Sequence, residues 1–311
     1  MKIVFLDSKT IGDDIDLSGF DKIGEVVKYS FSTVEEAKAR TKDADVVVVN
    51  KVPINEVTIG EAKNLKLVCV TATGTNNLDK DYLDKKNIQW RNVAGYSTES
   101  VAQHTFAMFF YLLEKLSYYD DYVKSEKYVN DVSFTHFDKV FNEVNGKTWG
   151  IIGLGNIGKR VADIAKSFGC KVIYYSTSGK HVDKDYERVD FETLLIQSDF
   201  VSVHAPLNED TLGLMNFNAF KKMKNSAIFI NVGRGPIVVE KDLVKALNEG
   251  EIQAAGLDVL DIEPMSEACP LRSIKDSTKL IITPHIAWAS IEARERLMGI
   301  ILNQIKEFYN L

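Results

Sequence analysis

The stretch Thr148-Trp-Gly-Ile-Ile-Gly-Leu-Gly-Asn-Ile-Gly158 decides how the rest of this chain is read. An apolar run leads into three glycines, Gly153, Gly155 and Gly158, spaced G-x-G-x-x-G. Residues 159–168 then have a helical pattern, Gly169 stops it, and Lys171-Val-Ile-Tyr-Tyr175 starts a second strand at once. The spacing predicts a compact βαβ unit. In such a unit Gly153 and Gly155 permit a tight turn and close approach of the backbone to a pyrophosphate, while Gly158 lets helix and strand pack closely. The helix start adds free N–H groups and a partial positive charge for the phosphates.

Working outward, strand-like and helix-like runs alternate almost throughout, which predicts parallel α/β architecture. Before the glycine motif, strands are expected at 2–6, 45–49, 67–70 and 88–92, with a helix at 33–42. From the motif onward they are expected at 148–152, 171–175, 200–204, 227–232, 254–259 and 280–283. A helix capped by Ser97 or Thr98 should run to about Leu116. Its middle is apolar on every side, which calls for burial all round. A place between domains, a place between subunits and a place in one domain's core all meet that need. A loop is expected from Tyr118 to Asn145. The last helical segment, 290–311, should pack back on the first domain, so that the chain crosses between domains near residues 98 and 288.

Composition narrows the class. The 311 residues suffice for two domains. Hydrophobic residues at 45% and charged residues at 26% are ordinary for a soluble protein, and the net charge of −6 argues against nucleic acid or an anionic membrane as main partner. The N-terminus reads as a strand and not a signal peptide. The apolar run 106–113 is too short to span a bilayer. Cys69, Cys170 and Cys269 are scattered and odd in number, which points to a reducing cytoplasm with neither a metal nor a disulfide framework.

Ligands of open parallel sheets bind beyond the carboxyl ends of the strands. There the chain delivers His204-Ala-Pro206, Asn231-Val-Gly-Arg-Gly235, Asp258 with Glu263-Pro264 in the following loop, and Thr283-Pro-His285. An arginine, a glutamate and histidines converge on one edge. Reducing a 2-keto acid needs a hydride donor, a cation for the carboxylate and an acid for the new hydroxyl. Nicotinamide supplies the hydride, arginine pairs with a carboxylate through two parallel hydrogen bonds, and histidine gives a proton near neutral pH when a glutamate holds it charged and oriented.

These segments, with Thr73-Gly-Thr-Asn-Asn-Leu-Asp79, Ser100-Val-Ala-Gln-His-Thr105 and Thr283-Pro-His-Ile-Ala-Trp-Ala-Ser290, resemble the D-2-hydroxyacid dehydrogenase family over nearly the whole chain. The motifs at 72–77 and 284–290 look most like its glycerate dehydrogenase and hydroxypyruvate reductase branch; a D-lactate or aryl-lactate type of the same family is the alternative. The resemblance implies a Rossmann-type doubly wound cofactor domain at 99–286. It implies a smaller, flavodoxin-like substrate domain at 1–98 and 287–311, and a homodimer through the helix near 98–116. Arg234 is implied to meet the substrate carboxylate and carbonyl, His285 to donate the proton, and Glu263 to hold His285. The backbone around Thr73, Gly74 and Thr75 would meet the substrate carboxylate, Asn156 and Ile157 the pyrophosphate, and Asp258 the nicotinamide amide. Thr105, Ala205, Pro206, Thr211 and Val232 match further cofactor contacts.

Two positions depart from the family pattern. Gln103 replaces a common glutamate, with little effect expected. Ser176 stands where an acid usually binds the adenine ribose. An aspartate there would repel a 2′-phosphate, whereas the hydroxyls of Ser176, Thr177 and Ser178 can donate to one and Lys180 can add charge. NADP(H) is therefore expected to be accepted at least as well as NAD(H), although the loop itself carries no arginine.

Overall fold

The computed structural model describes residues 1–180 and 182–311. The chain divides into two compact units, one of Met1–Ser97 with Ala289–Leu311 and the other of Thr98–Trp288.

The smaller unit is built on β1 (Lys2–Phe5), β2 (Glu25–Lys28), β3 (Val46–Val49), β4 (Leu67–Val70) and β5 (Gln89–Arg91). All pairs are parallel and the order is β2-β1-β3-β4-β5, a flavodoxin-like winding. The four valines of β3 and all of β4 are buried, as central parallel strands covered on both faces must be. β2 is an edge strand with charged ends, Glu-Val-Val-Lys, and is missing from the sequence reading because it lacks an apolar run. Thr33 and Glu36 form a reciprocal capping box that starts the helix Val34–Arg40. The terminal helix Ile291–Tyr309 is capped by Ser290 and buries Leu297, Ile301 and Ile305, a four-residue repeat on one face.

The larger unit holds β6 (Thr148–Ile152), β7 (Lys171–Tyr175), β8 (Glu187–Arg188), β9 (Phe200–Val203), β10 (Ile228–Asn231), β11 (Ala254–Leu257) and β12 (Leu280–Ile282). The all-parallel order β12-β11-β10-β9-β6-β7-β8 reverses direction beside β6, so the glycine turn sits at the topological switch point where dinucleotides bind in such sheets. The fold class is the one the alternation predicts.

The structure settles one open reading after residue 97 and corrects one expectation there. The apolar side chains of the helix Thr98–Leu113 pack within its own unit, as a core helix does, while Glu99, Gln103 and Ala107 are exposed: Phe109 lies 4.7 Å from the Trp149 ring and 4.6 Å from Phe200. None of the large exposed apolar side chains among the described residues belongs to this helix. The expected loop also begins late. Lys115 takes left-handed backbone (φ 56°), and a second helix, Leu116–Lys124, follows. No helix of the described residues is long and apolar enough to cross a membrane.

Candidate active site

At the switch point β6 ends in Gly153, whose φ of +90° suits glycine and whose missing Cβ would lie 2.8 Å from the Ala205 backbone. Gly155 precedes the helix Asn156–Ser167, and a Cβ built on it meets nothing within 4 Å. Gly155 is thus not required by packing within the chain; the open face beside a helix start fits an approaching pyrophosphate. Asn156 is exposed there, Ile157 half-buried and Gly158 buried.

At the end of β7 the Ser176 residue is only 4% exposed, yet its hydroxyl has no hydrogen-bond partner among the described residues. The chain turns on the Gly179 N–H to Ser176 carbonyl bond (3.0 Å), with Thr177 half-buried and Ser178 and Lys180 exposed. Pro206 is exposed, and Val232 half-buried. Ala205, Thr105 and Thr211 are buried. Thr105 donates to the Val101 carbonyl (2.8 Å), and Thr211 ties the 206–211 turn by donating to the Pro206 carbonyl (2.8 Å). In this structure both threonine hydroxyls are therefore committed to scaffold bonds.

The edge formed by β10, β11 and β12 carries the polar chemistry. Arg234 follows β10 in extended backbone, is exposed, and has no ion pair among the described residues; its Nη1 donates to the Gly233 carbonyl (2.8 Å). The turn is set by Asn231, which accepts from Gly233 N–H and donates to the Arg234 carbonyl, each at 3.0 Å. Gly235 packs on the Leu260 carbonyl so closely that a Cβ would overlap it. Leu260 N–H in turn donates to Glu263 Oε1 (2.9 Å). Glu263 Oε2 meets His285 Nδ1 at 2.7 Å. With Nδ1 so engaged, His285 presents Nε2, which has no partner among the described residues.

What holds His285 in place was not legible in sequence. It sits in left-handed backbone (φ 56°) inside the loop 283–287. That loop is tied to Asp258, which is 1% exposed. Asp258 Oδ1 accepts from Thr283 Oγ1 (2.6 Å) and Ile286 N–H (2.9 Å), Oδ2 accepts from Ala287 N–H (2.9 Å), and its carbonyl accepts from His285 N–H (2.9 Å). His104, from the helix before the sheet, bonds Thr283 Oγ1 at 2.9 Å and lies 3.5 Å from the Asp258 carboxylate. Desolvation holds the His104 imidazole below the usual histidine range, against the pull of Asp258. No spacing or motif links residues 104, 258 and 283.

His204 has the wrong surroundings for acid catalysis. Trp149 Nε1 donates to Ser202 Oγ, which lies 2.9 Å from His204 Nε2. Nδ1 is enclosed without a partner, and burial pushes the ring down to about 3. At neutral pH it is uncharged.

In the smaller unit Thr73 Oγ1 donates to the Val93 carbonyl (3.0 Å), and Asn92 Nδ2 to the Thr73 carbonyl (2.6 Å), which fixes the segment bearing Gly74 and Thr75. Asn77 Nδ2 bonds the Val52 carbonyl at 3.1 Å, joining this segment to the 50–52 loop. Asp7 anchors that loop through the N–H groups of Asn50, Lys51 and Val52 at 2.6–3.2 Å.

Comparison with known proteins identifies the family. Residues 106–287 match the D-isomer specific 2-hydroxyacid dehydrogenase NAD binding domain. The chain is similar to the hydroxypyruvate reductase of Blautia hydrogenotrophica, 37% identical over 314 residues covering 99% of this chain and 97% of the relative. The glycerate dehydrogenase of Methylorubrum extorquens is 35% identical over 99% of this chain and 96% of its own. Among solved structures, an acyclic imino acid reductase in complex with NADPH and D-Arg superposes with a TM-score of 0.87 at 30% identity, covering 100% of this chain and 97% of that one.

Proposed function

The chain belongs to the D-isomer-specific 2-hydroxyacid dehydrogenases, and from that premise we propose that it reduces hydroxypyruvate to D-glycerate, or glyoxylate to glycolate. The observation that carries the reading is the His285–Glu263 pair at 2.7 Å with Nε2 open, on the same sheet edge as the unpaired Arg234. When bound, reduced nicotinamide supplies the hydride. Arg234 offers its guanidinium fork to the substrate carboxylate and polarises the carbonyl. His285 Nε2 donates a proton to the carbonyl oxygen as it gains charge. Glu263, fixed by Leu260 N–H, keeps the imidazole oriented and balances its charge.

The larger unit is assigned to the cofactor and the smaller to substrate recognition through the backbone at 73–75. The test is oxidation of NADH and NADPH with a panel of 2-keto acids, followed by chiral analysis. A D product and a higher kcat/KM for hydroxypyruvate than for pyruvate are expected; the reverse order would move the enzyme to the D-lactate type. Arg234→Ala should lose keto-acid turnover while keeping dinucleotide affinity.

Ser176, nearly buried with a free hydroxyl, supports use of NADPH at least as well as NADH. Ser176→Asp should then weaken NADPH far more than NADH. A natural preference for NADH of about tenfold, roughly 1.4 kcal/mol, would overturn this. A homodimer is also proposed, with a second copy covering the exposed Val129, Val132, Phe134, Phe137, Val140 and Phe141. Val132→Asp combined with Phe134→Asp should yield a monomer by light scattering.

A further inference from the structure

The turn 176–180 carries hydroxyls and a lysine but no arginine, so on its own it lacks the planar fork that grips a phosphate. The fold brings one from the neighbouring strand. β8 is parallel to β7, with Arg188 in register with Tyr174, two residues before Ser176. A Cβ on Gly179 would lie 3.7 Å from Arg188 Nη2, so the guanidinium lies over the turn.

Arg188 is exposed and has no ion pair among the described residues. Edge strands often carry charge merely to discourage pairing, yet the neighbouring acids are already engaged by other cations. Glu187, on the opposite face of the strand, pairs with Lys171 at 3.1 Å. Asp183 and Asp185 both bind Lys159, at 2.7 and 3.4 Å. Of the cations left here without an ion pair among the described residues, Arg188, Lys180 and Lys184, the first two lie at the turn whose Ser176 hydroxyl is nearly buried and unpartnered. A dianion with several acceptor oxygens would satisfy those two cations and the hydroxyl.

We propose that Arg188 and Lys180, with the Ser176 hydroxyl, form the site for the 2′-phosphate of an adenine dinucleotide, Arg188 being the residue that determines cofactor specificity. The proposal rests on the dinucleotide reading of the glycine turn. Its test separates the two, using calorimetric titration of 2′,5′-ADP and 5′-AMP, which carry no hydride chemistry. The natural protein should bind 2′,5′-ADP at least tenfold tighter than 5′-AMP. Arg188→Ala should weaken 2′,5′-ADP by about 10- to 100-fold, the usual worth of a charge-assisted bond, and change 5′-AMP less than about twofold. Arg188→Lys should recover part of the loss, since the charge returns without the fork. Equal binding of both nucleotides by the natural protein, or a ratio that Arg188→Ala leaves intact, overturns the phosphate site while the dinucleotide reading stands. Binding of neither nucleotide overturns both.

Discussion

Each unit hides one aspartate at the carboxyl end of its sheet, and each aspartate pins the loop of the adjacent strand. Asp7, just past β1, accepts three backbone N–H groups from the loop after β3. Asp258, just past β11, accepts two backbone N–H groups and a hydroxyl from the loop after β12. They differ in what is pinned. The Asp7 loop lies in ordinary backbone, whereas the Asp258 loop holds His285 at φ 56°, a conformation that costs a non-glycine residue about 1–3 kcal/mol. One anchoring device thus pins a loop in ordinary backbone in one unit and holds His285, the proposed proton donor, in a strained pose in the other.

The largest test of that division removes the proposed proton donor. His285→Ala should lower kcat/KM by roughly 10²- to 10⁴-fold, the worth of a general acid, with dinucleotide affinity little changed. Thr73→Val, which removes the side-chain bond that fixes the 73–75 segment of the smaller unit, should act mainly on KM. If it cost kcat as much as His285→Ala, chemistry would not be confined to the larger unit.

Acid should separate the units next. All four described histidines lie in the larger unit. Burial pushes His204 down to about 3, so between its ordinary pKa near 6.5 and pH 3 the unfolded chain binds a proton that the folded chain refuses. Stability contributed by neutral His204 is therefore present above about pH 6.5 and lost as pH falls, by about 2 kcal/mol between pH 6.5 and 5. Desolvated His104 acts in the same direction. Asp7 acts oppositely. Burial raises its carboxyl pKa, against the N–H groups of Lys51, Asn50 and Val52, so its contribution is present at low pH and lost as pH rises through the folded value. Calorimetry at pH 7 and pH 5 should show a destabilisation that His204→Gln largely removes; an unchanged pH dependence in the variant would contradict this.

The parts legible in sequence are those with local signals. The glycine turn, the apolar strands and the polar residues at strand ends follow from runs and spacings within a few residues. Glu263 and His285, expected to act together, meet at 2.7 Å. The anchors are not local. Asp7 meets residue 50 only because β1 and β3 are neighbours, and Asp258 meets residue 286 only because β11 and β12 are. β8 is two charged residues long and gives no periodicity, so Arg188 could not be placed beside the Ser176 turn. The break at Lys115 likewise has no glycine or proline to mark it.

Exchanging the anchors gives a smaller effect than removing the acid. Asp258→Asn keeps the shape but turns one acceptor into a donor facing the loop, so kcat should fall about 10- to 100-fold, as expected when a charged hydrogen-bond partner is lost. Asp7→Asn meets the same misfit in the other unit and should raise KM and lower the melting temperature, with kcat kept within a few fold. Similar kcat losses in both variants would mean that both loops orient the reacting groups.

The smallest effect should come from the one feature Asp7 lacks, a side-chain donor. The Thr283 hydroxyl has a single hydrogen, and the 2.6 Å contact with Asp258 Oδ1 claims it. Its oxygen must then accept from His104 Nε2, which fixes that nitrogen as the protonated one in the neutral ring. Thr283→Val keeps the volume and removes this link, leaving Asp258 its two backbone N–H donors. One hydrogen bond is worth about 1 kcal/mol, so kcat should fall about three- to tenfold with KM little changed, and Thr283→Ser should restore it. A loss as large as that of Asp258→Asn would make the hydroxyl, and not the backbone, the main tether of the His285 loop. No loss at all would leave the two aspartates equivalent as anchors, and the difference between the units would rest on His285 alone.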